Sequence, residues 1–146
     1  MSEPDTTLVV SVEDNPGDAR LIEEGIEAVD AVVDLRVFTG GKAAMQALPG
    51  DGGISPESVN LVLLDINIPG LSGIELLQHL RGDAQYDDVP IVALSSSTNP
   101  EDVRRVYEAA GNAYLTKPSD PDEFIQTVAD AVRFWMPTPA GAHSND

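Results

Sequence analysis

Five short runs of aliphatic and β-branched residues are each followed by a segment whose apolar residues recur at helical spacing. No other feature narrows the fold as far. Leu8-Val9-Val10-Ser11-Val12 reads as a first strand, and residues 16–29 follow with Leu21, Ile22, Ile26 and Val29 on one face. Val32 to Phe38 reads as a second strand, with Val33, Leu35 and Val37 alternating against Asp34 and Arg36. A weaker helix covers about 40–48, and residues 49–59 form a loop rich in Gly and Pro. Leu61-Val62-Leu63-Leu64 is apolar at every position, the pattern of a strand buried on both faces. Then come a helix over 73–81, a strand over 91–94, a helix over 100–110, a strand over 113–115 and a helix over 121–135. Strand and helix alternating five times predict βα units: an α/β, doubly wound parallel sheet with helices on both faces. The helices do not match one another, so the alternation is not an internal repeat.

Local chemistry marks the helix ends. Asn15-Pro16, Asn99-Pro100 and Asp120-Pro121 each place an N-cap before a proline at the first helical position. Ser72 with Glu75, and Asp120 with Glu123, fit capping boxes. Gly111 is expected to close helix 100–110 as its C′ glycine.

The 146 residues suit one domain, expected over 7–136, with a tail over 1–6 and a polar, disordered tail over 137–146 and no output domain after it. Acidic residues number 25 against 8 Lys and Arg, a formal charge of −17. That balance excludes a nucleic-acid partner, which needs clustered Lys and Arg, and an anionic membrane surface. With 42% hydrophobic residues the chain is not disordered by composition. No apolar run approaches the roughly 18 residues of a membrane helix, and the start has no leader-like apolar segment, so a cytoplasmic location is expected. Absence of cysteine excludes disulfides, thiol catalysis and zinc–thiolate sites. Only Lys42 and Lys117 are lysines, and a carboxylate-dense, lysine-poor surface resembles proteins of salt-accumulating cells.

In an open α/β sheet, ligands bind beyond the carboxyl ends of the strands. The first strand ends in Glu13-Asp14, the third in Asp65, the fourth in Ser95 within Ser95-Ser96-Ser97-Thr98, and the fifth in Thr116-Lys117. One polar strand end merely begins a turn; four delivering acids, a hydroxyl and a lysine to one edge form a candidate site. Converging carboxylates repel, and a hard divalent cation such as Mg2+ removes that repulsion with oxygen ligands. Asp14 and Asp65 would hold the metal, with Glu13 on its water. Lys117 would pair with Asp65 or with a phosphoryl oxygen, and Ser95 would donate to another. These parts suit phosphoryl transfer to a carboxylate.

The stretches VSVEDN, LVLLDINIPGLSG, IVALSSS and AYLTKP resemble the receiver domain of two-component response regulators, over about residues 7–135. The resemblance implies a flavodoxin-like (βα)5 fold with strand order 2-1-3-4-5. It implies Asp65 as the phosphoacceptor, and Mg2+ on Glu13, Asp14, Asp65 and the backbone carbonyl of Asn67. Ser95, Ser96 and Lys117 would contact the phosphoryl group, Ser95 and Tyr114 would form a switch, and Lys117–Pro118 would be a cis peptide. A sensor histidine kinase would be the donor. VEDNPGDARLIEEGI, NAYLTKPSD and Phe134-Trp135 are similar to small regulators that partner phytochromes. Output would be a protein interaction or a phosphorelay step, read on the surface of helix 100–110, strand 112–116 and helix 121–135. A homodimer through that surface is a further expectation.

Three rivals stand beside this reading. A magnesium phosphatase using an aspartyl-phosphate commonly has a second Asp two residues after the nucleophile, where Asn67 stands. A flavin carrier wants a hydroxyl-rich phosphate loop after the first strand, where Glu13-Asp14 stands. A degenerate, phosphate-independent receiver is disfavoured by Asp65 and Lys117. Gly40-Gly41-Lys42 lacks P-loop spacing, and His79 and His143 read as incidental. Arg104-Arg105 reads as a solvated face, with a partner contact as the alternative, and Phe134 and Trp135 as packing for the last helix, with a dimer contact as the runner-up.

Overall fold

The structure is a computed structural model and describes residues 7–48, 54–68 and 72–136. The expected tails over 1–6 and 137–146 lie outside the described residues, as does part of the 49–59 loop. The elements run β1 (Thr7–Val12), α1 (Pro16–Glu27), β2 (Val33–Phe38), α2 (Gly41–Ala47), β3 (Leu61–Leu64), α3 (Gly73–Arg81), β4 (Ile91–Ser95), α4 (Pro100–Glu108), β5 (Ala113–Thr116) and α5 (Pro121–Trp135). All strands pair in parallel, in the order β2-β1-β3-β4-β5. This is the expected flavodoxin-like doubly wound sheet.

The two-residue period of the strands divides the core. Leu61 and Leu63 of β3 face Ile22 and Ile26 of α1 and Phe124, Val128 and Val132 of α5. Val62 and Leu64 face Ala44 of α2, Leu76, Leu77 and Leu80 of α3, and Val106 of α4. That is why β3 carries no polar position: neither face meets water. On the first face α1 crosses α5 closely at Gly25, where a Cβ would stand 2.7 Å from the Val128 side chain.

Most expected caps form. Asn15, Asn99 and Asp120 accept from Asp18, Glu101 and Glu123 N–H groups respectively. Among the described residues the reciprocal capping-box bond forms only at Ser72–Glu75. The end of α4 corrects the expectation for Gly111. Ala110 is the left-handed residue, at φ 69°. Ala110 N–H donates to Tyr107 O and Gly111 N–H donates to Val106 O, a Schellman pair with Gly111 one place further on. Gly111 is needed there for space, since a Cβ would lie 2.6 Å from Val106 Cγ1. An alanine at positive φ costs on the order of 1 kcal/mol that glycine avoids. Ala110→Gly is therefore expected to raise stability by roughly that amount in urea unfolding; a lower midpoint would contradict the strained cap.

Two further features depart from the sequence expectation. The Lys117–Pro118 bond is trans, for no described peptide is cis. The trans form is the lower state of an X–Pro amide by about 0.5–1 kcal/mol. And Phe134 does not pack: it is 76% exposed, with its ring edge-on to Trp135 at 5.0 Å, while Trp135 leans on the α1/α5 core. Helix periodicity puts Val132 inward and turns Phe134 away.

Candidate functional site at the carboxyl edge of the sheet

Register places the acids before any side chain is considered. Val12 stands beside Leu64, so the next residues, Glu13 and Asp65, leave the sheet side by side, and Asp65 N–H donates to Val12 O at 3.0 Å. Ser95 stands beside Thr116, and Lys117 N–H donates to Ser95 O at 2.7 Å. The strand order β1-β3-β4-β5 thus brings the four expected strand ends together. Glu13, Asp65 and Ser95 are buried, and Asp14 is half-buried.

Lys117 is the hub. Its side chain is 9% exposed, and Nζ lies 2.8 Å from Asp18 Oδ2, 2.9 Å from Glu13 Oε1 and 3.1 Å from Asp65 Oδ2. Burial works against its charge, but these carboxylates outweigh burial and hold the ammonium above its usual range. Asp18 was not among the sequence candidates. It sits in the first turn of α1, where an acid is commonplace at the positive end of the helix dipole. Its contact with Lys117 depends on α1 and β5 meeting in space.

Asp65 is held from a second side, its Oδ1 accepting from Asn67 N–H at 2.9 Å. The Asn67 side-chain amide donates to Ser95 Oγ at 3.0 Å. Ser95 Oγ also accepts from Ser97 N–H at 3.1 Å, so its own O–H proton is left for another acceptor. Ser96 is exposed beside it. Ser97, a second residue the sequence reading did not single out, joins three groups. Its carbonyl accepts from the Tyr114 hydroxyl at 2.7 Å, and its own hydroxyl donates to Asp102 Oδ2 at 2.6 Å. The expected Ser95–Tyr114 pair is therefore linked through Ser97.

The residues fit a divalent cation. One oxygen each from Glu13, Asp14 and Asp65 lies within 4.8 Å of the others. Glu13 Oε1 is buried with no hydrogen bond assigned to it among the described residues, and the Lys117 ammonium lies 2.9 Å away as an ion pair. A hard cation takes such carboxylate oxygens.

Burial pushes the Glu13 carboxyl up to about 7, Asp65 adding to the rise and Lys117 opposing it. Because the folded value lies above the ordinary 4.5 of a glutamate, the proton on Glu13 stabilises the metal-free fold. That stability is present below pH 4.5 and lost as pH rises through about 7. A cation needs the ionised carboxylate. Divalent-ion affinity is expected to fall about thirty-fold from pH 8 to pH 5.5, following the fraction ionised. Glu13→Gln should flatten the calorimetric titration, and a flat wild-type profile would sink the expectation.

A parallel β2-β1-β3-β4-β5 sheet with acids, a hydroxyl and a lysine at its carboxyl edge defines a class. Residues 9–129 match the family model of the response regulator receiver domain. The chain belongs to that family, and so to the proteins of two-component systems. Response regulator Rcp1 of Synechocystis sp. is 33% identical over 133 residues, covering 90% of each chain. The crystal structure of the Mn2+-bound form of Rcp1 aligns with a TM-score of 0.80 and 31% identity, over 90% of this chain and 96% of that one. The phosphorylated cyanobacterial phytochrome response regulator RcpA aligns with a TM-score of 0.82 and 31% identity, over 89% and 94%.

Proposed function

We propose that the protein accepts a phosphoryl group on Asp65 from a sensor histidine kinase, with Mg2+, and thereby switches a protein-interaction surface. The observation that carries this is Asp65 itself: a buried carboxylate at a strand end, beside two acids and within 3.1 Å of a lysine ammonium. A carboxylate oxygen of Asp65 attacks phosphorus. The O–P bond forms as the P–N bond to the donor histidine breaks, and the histidine nitrogen keeps the electron pair and takes up a proton. Mg2+, held by Glu13, Asp14, Asp65 and the Asn67 carbonyl, would supply charge neutralisation at the phosphoryl oxygens. Lys117 places its ammonium beside the incoming charge, and Ser95 and Ser96 supply hydroxyl donors.

The switch is a relay. When the Ser95 hydroxyl turns to the phosphoryl group, the Ser97 N–H loses its acceptor. The Ser97 carbonyl that holds Tyr114 then shifts, which biases α4 and β5 between two arrangements. Output is read by a protein on the α4–β5–α5 face. There Tyr107 is 51% exposed, and a groove of about 480 Å³ runs between β5 and α5 beside Phe134. A second copy of the chain on that face is an alternative occupant. The likeness to Rcp1 and RcpA supports a phytochrome-like kinase as donor. The protein works in the cytoplasm as a signalling protein, not as a turnover enzyme; among the described residues no helix is long and apolar enough to cross a membrane. The phosphatase alternative fails on Asn67, which has no acidic proton to give and whose side chain is engaged by Ser95.

Acetyl phosphate and Mg2+ test the proposal by intact mass. One phosphoryl group is expected, absent in Asp65→Asn and after chelation. An adduct retained in Asp65→Asn would overturn the assignment. Ser95→Ala should still be phosphorylated at Asp65 without shifting the Tyr114 resonances.

A further inference from the structure

The sheet has an open side away from the phosphoryl site. Among the described residues β2 pairs with β1 alone, and no strand lies beside its outer backbone groups. The polarity of that edge follows from the inner bonds. Thr7 N–H donates to Val32 O, and Glu13 N–H donates to Phe38 O. Backbone groups alternate sides along a parallel strand, so Val32, Asp34, Arg36 and Phe38 turn their N–H and C=O groups towards β1. Val33, Leu35 and Val37 turn theirs outward. The side chains of these three line a shallow groove of about 260 Å³ against Ile26 of α1, with Glu23 and Glu27 on its rim. Val32, just before the strand, is 66% exposed.

Natural edges are usually protected by charge in mid-strand, and Asp34 and Arg36 are both exposed there. Their order, however, makes the edge complementary to itself. An antiparallel two-fold pairing centred on Leu35 sets each residue opposite one whose number completes a constant sum. Leu35 then faces the partner's Leu35, and Val33 faces the partner's Val37. These are the outward-turned residues, so each pair can exchange both backbone hydrogen bonds. Asp34 faces the partner's Arg36, and Arg36 faces the partner's Asp34, in the close, non-hydrogen-bonded positions where cross-strand charges interact most. A slip of one residue sets Leu35 opposite Asp34 or Arg36 and loses both charge pairs.

We propose that β2 is a homotypic docking edge, on which a second copy of this chain pairs antiparallel through Val33–Val37 to join two sheets into one. β2 lies at the opposite end of the sheet from β5, and the pairing does not depend on the phosphorylation proposed above. Charge sets its conditions. Each copy carries a net −17, and Glu23 and Glu27 of both copies approach the seam. Repulsion over that range is screened when the Debye length falls from about 8 Å at 0.15 M salt to about 3 Å at 1 M. Association should therefore strengthen with salt.

Sedimentation equilibrium of the full chain in 0.15 M and 1 M KCl is the test. The wild type is expected to dimerise, more tightly at the higher salt. Arg36→Asp and Asp34→Arg each set like charges opposite one another, and should weaken self-association ten-fold or more. Mixed together, the two variants restore both opposite-charge pairs and should form a heterodimer. Both sites are exposed, and circular dichroism checks that the variants fold. A wild type that stays monomeric at 1 M KCl overturns the proposal. So does a dimer indifferent to Arg36→Asp, or single variants that do not complement each other; loss of the dimer in Phe134→Ser alone would place the contact on α5 instead.

Discussion

Lys117→Met is expected to lower the stability of the metal-free protein by about 3–5 kcal/mol, the usual cost of removing one partner from a buried ionic cluster. Lys117 is the only cation in contact with Glu13, Asp18 and Asp65 among the described residues. Without it, three carboxylates converge on a space from which water is largely excluded. With urea slopes of about 1–3 kcal/mol per molar, the unfolding midpoint should fall on the order of 2 M in the presence of a chelator. Two further readings identify the cause. The deficit should shrink at pH 6, where Glu13, with its value raised to about 7, takes up a proton instead. It should also shrink in Mg2+, which binds only the folded arrangement of acids. An unchanged midpoint in chelator would show that the cluster does not depend on the ammonium. Phosphoryl uptake should be lost in the same variant even where Mg2+ has restored the fold.

Gly73→Ala should damage the site from behind. Gly73 opens α3 and donates its N–H to Ile66 O at 3.2 Å. A Cβ there would stand 2.4 Å from Ile66 Cα and 2.5 Å from Asp65 O, both backbone atoms with no rotamer to change. The segment carrying Asp65 and Asn67 has to move or α3 has to start later. Overpacking of this kind costs about 1–3 kcal/mol. Displacing the support of a metal ligand commonly costs 10–100-fold in affinity. Calorimetric titration with Mg2+ should show a loss in that range. Gly40→Ala, where a Cβ would meet nothing within 4 Å among the described residues, should bind normally. Wild-type affinity in Gly73→Ala would mean that the loop after β3 is not held by this contact.

The acids and the lysine at the strand ends were legible because a strand is a local pattern. An apolar run names the residue that leaves the sheet, and Glu13, Asp65, Ser95 and Lys117 each follow one. The helix starts were legible for the same reason, since a cap bonds within three residues. Asp18 was not, because in sequence it is one more acid in a first turn. Ser97 was not, because three hydroxyl residues in a row look alike until one meets Tyr114. Tyr86 is a third case: it is fully buried with its hydroxyl bonded to the Leu48 carbonyl, and nothing periodic surrounds it. The end of α4 was legible only to within one residue. Glycine marks the turn, but the Schellman bonds put the left-handed place at Ala110 and leave Gly111 one residue on, where Val106 crowds it.

By itself the sequence determined the order of elements, the layered class of the fold, and which side chains emerge at the carboxyl edge. Periodicity, caps and breakers all act over a few residues, so they survive in one dimension. Only the tertiary structure decided that Lys117 is shared between Glu13, Asp18 and Asp65, and that Ser95 reaches Tyr114 through Ser97. Those outcomes depend on distances between segments as many as 99 residues apart, as for Asp18 and Lys117. Burial multiplies the energy of such contacts, and no local pattern records them.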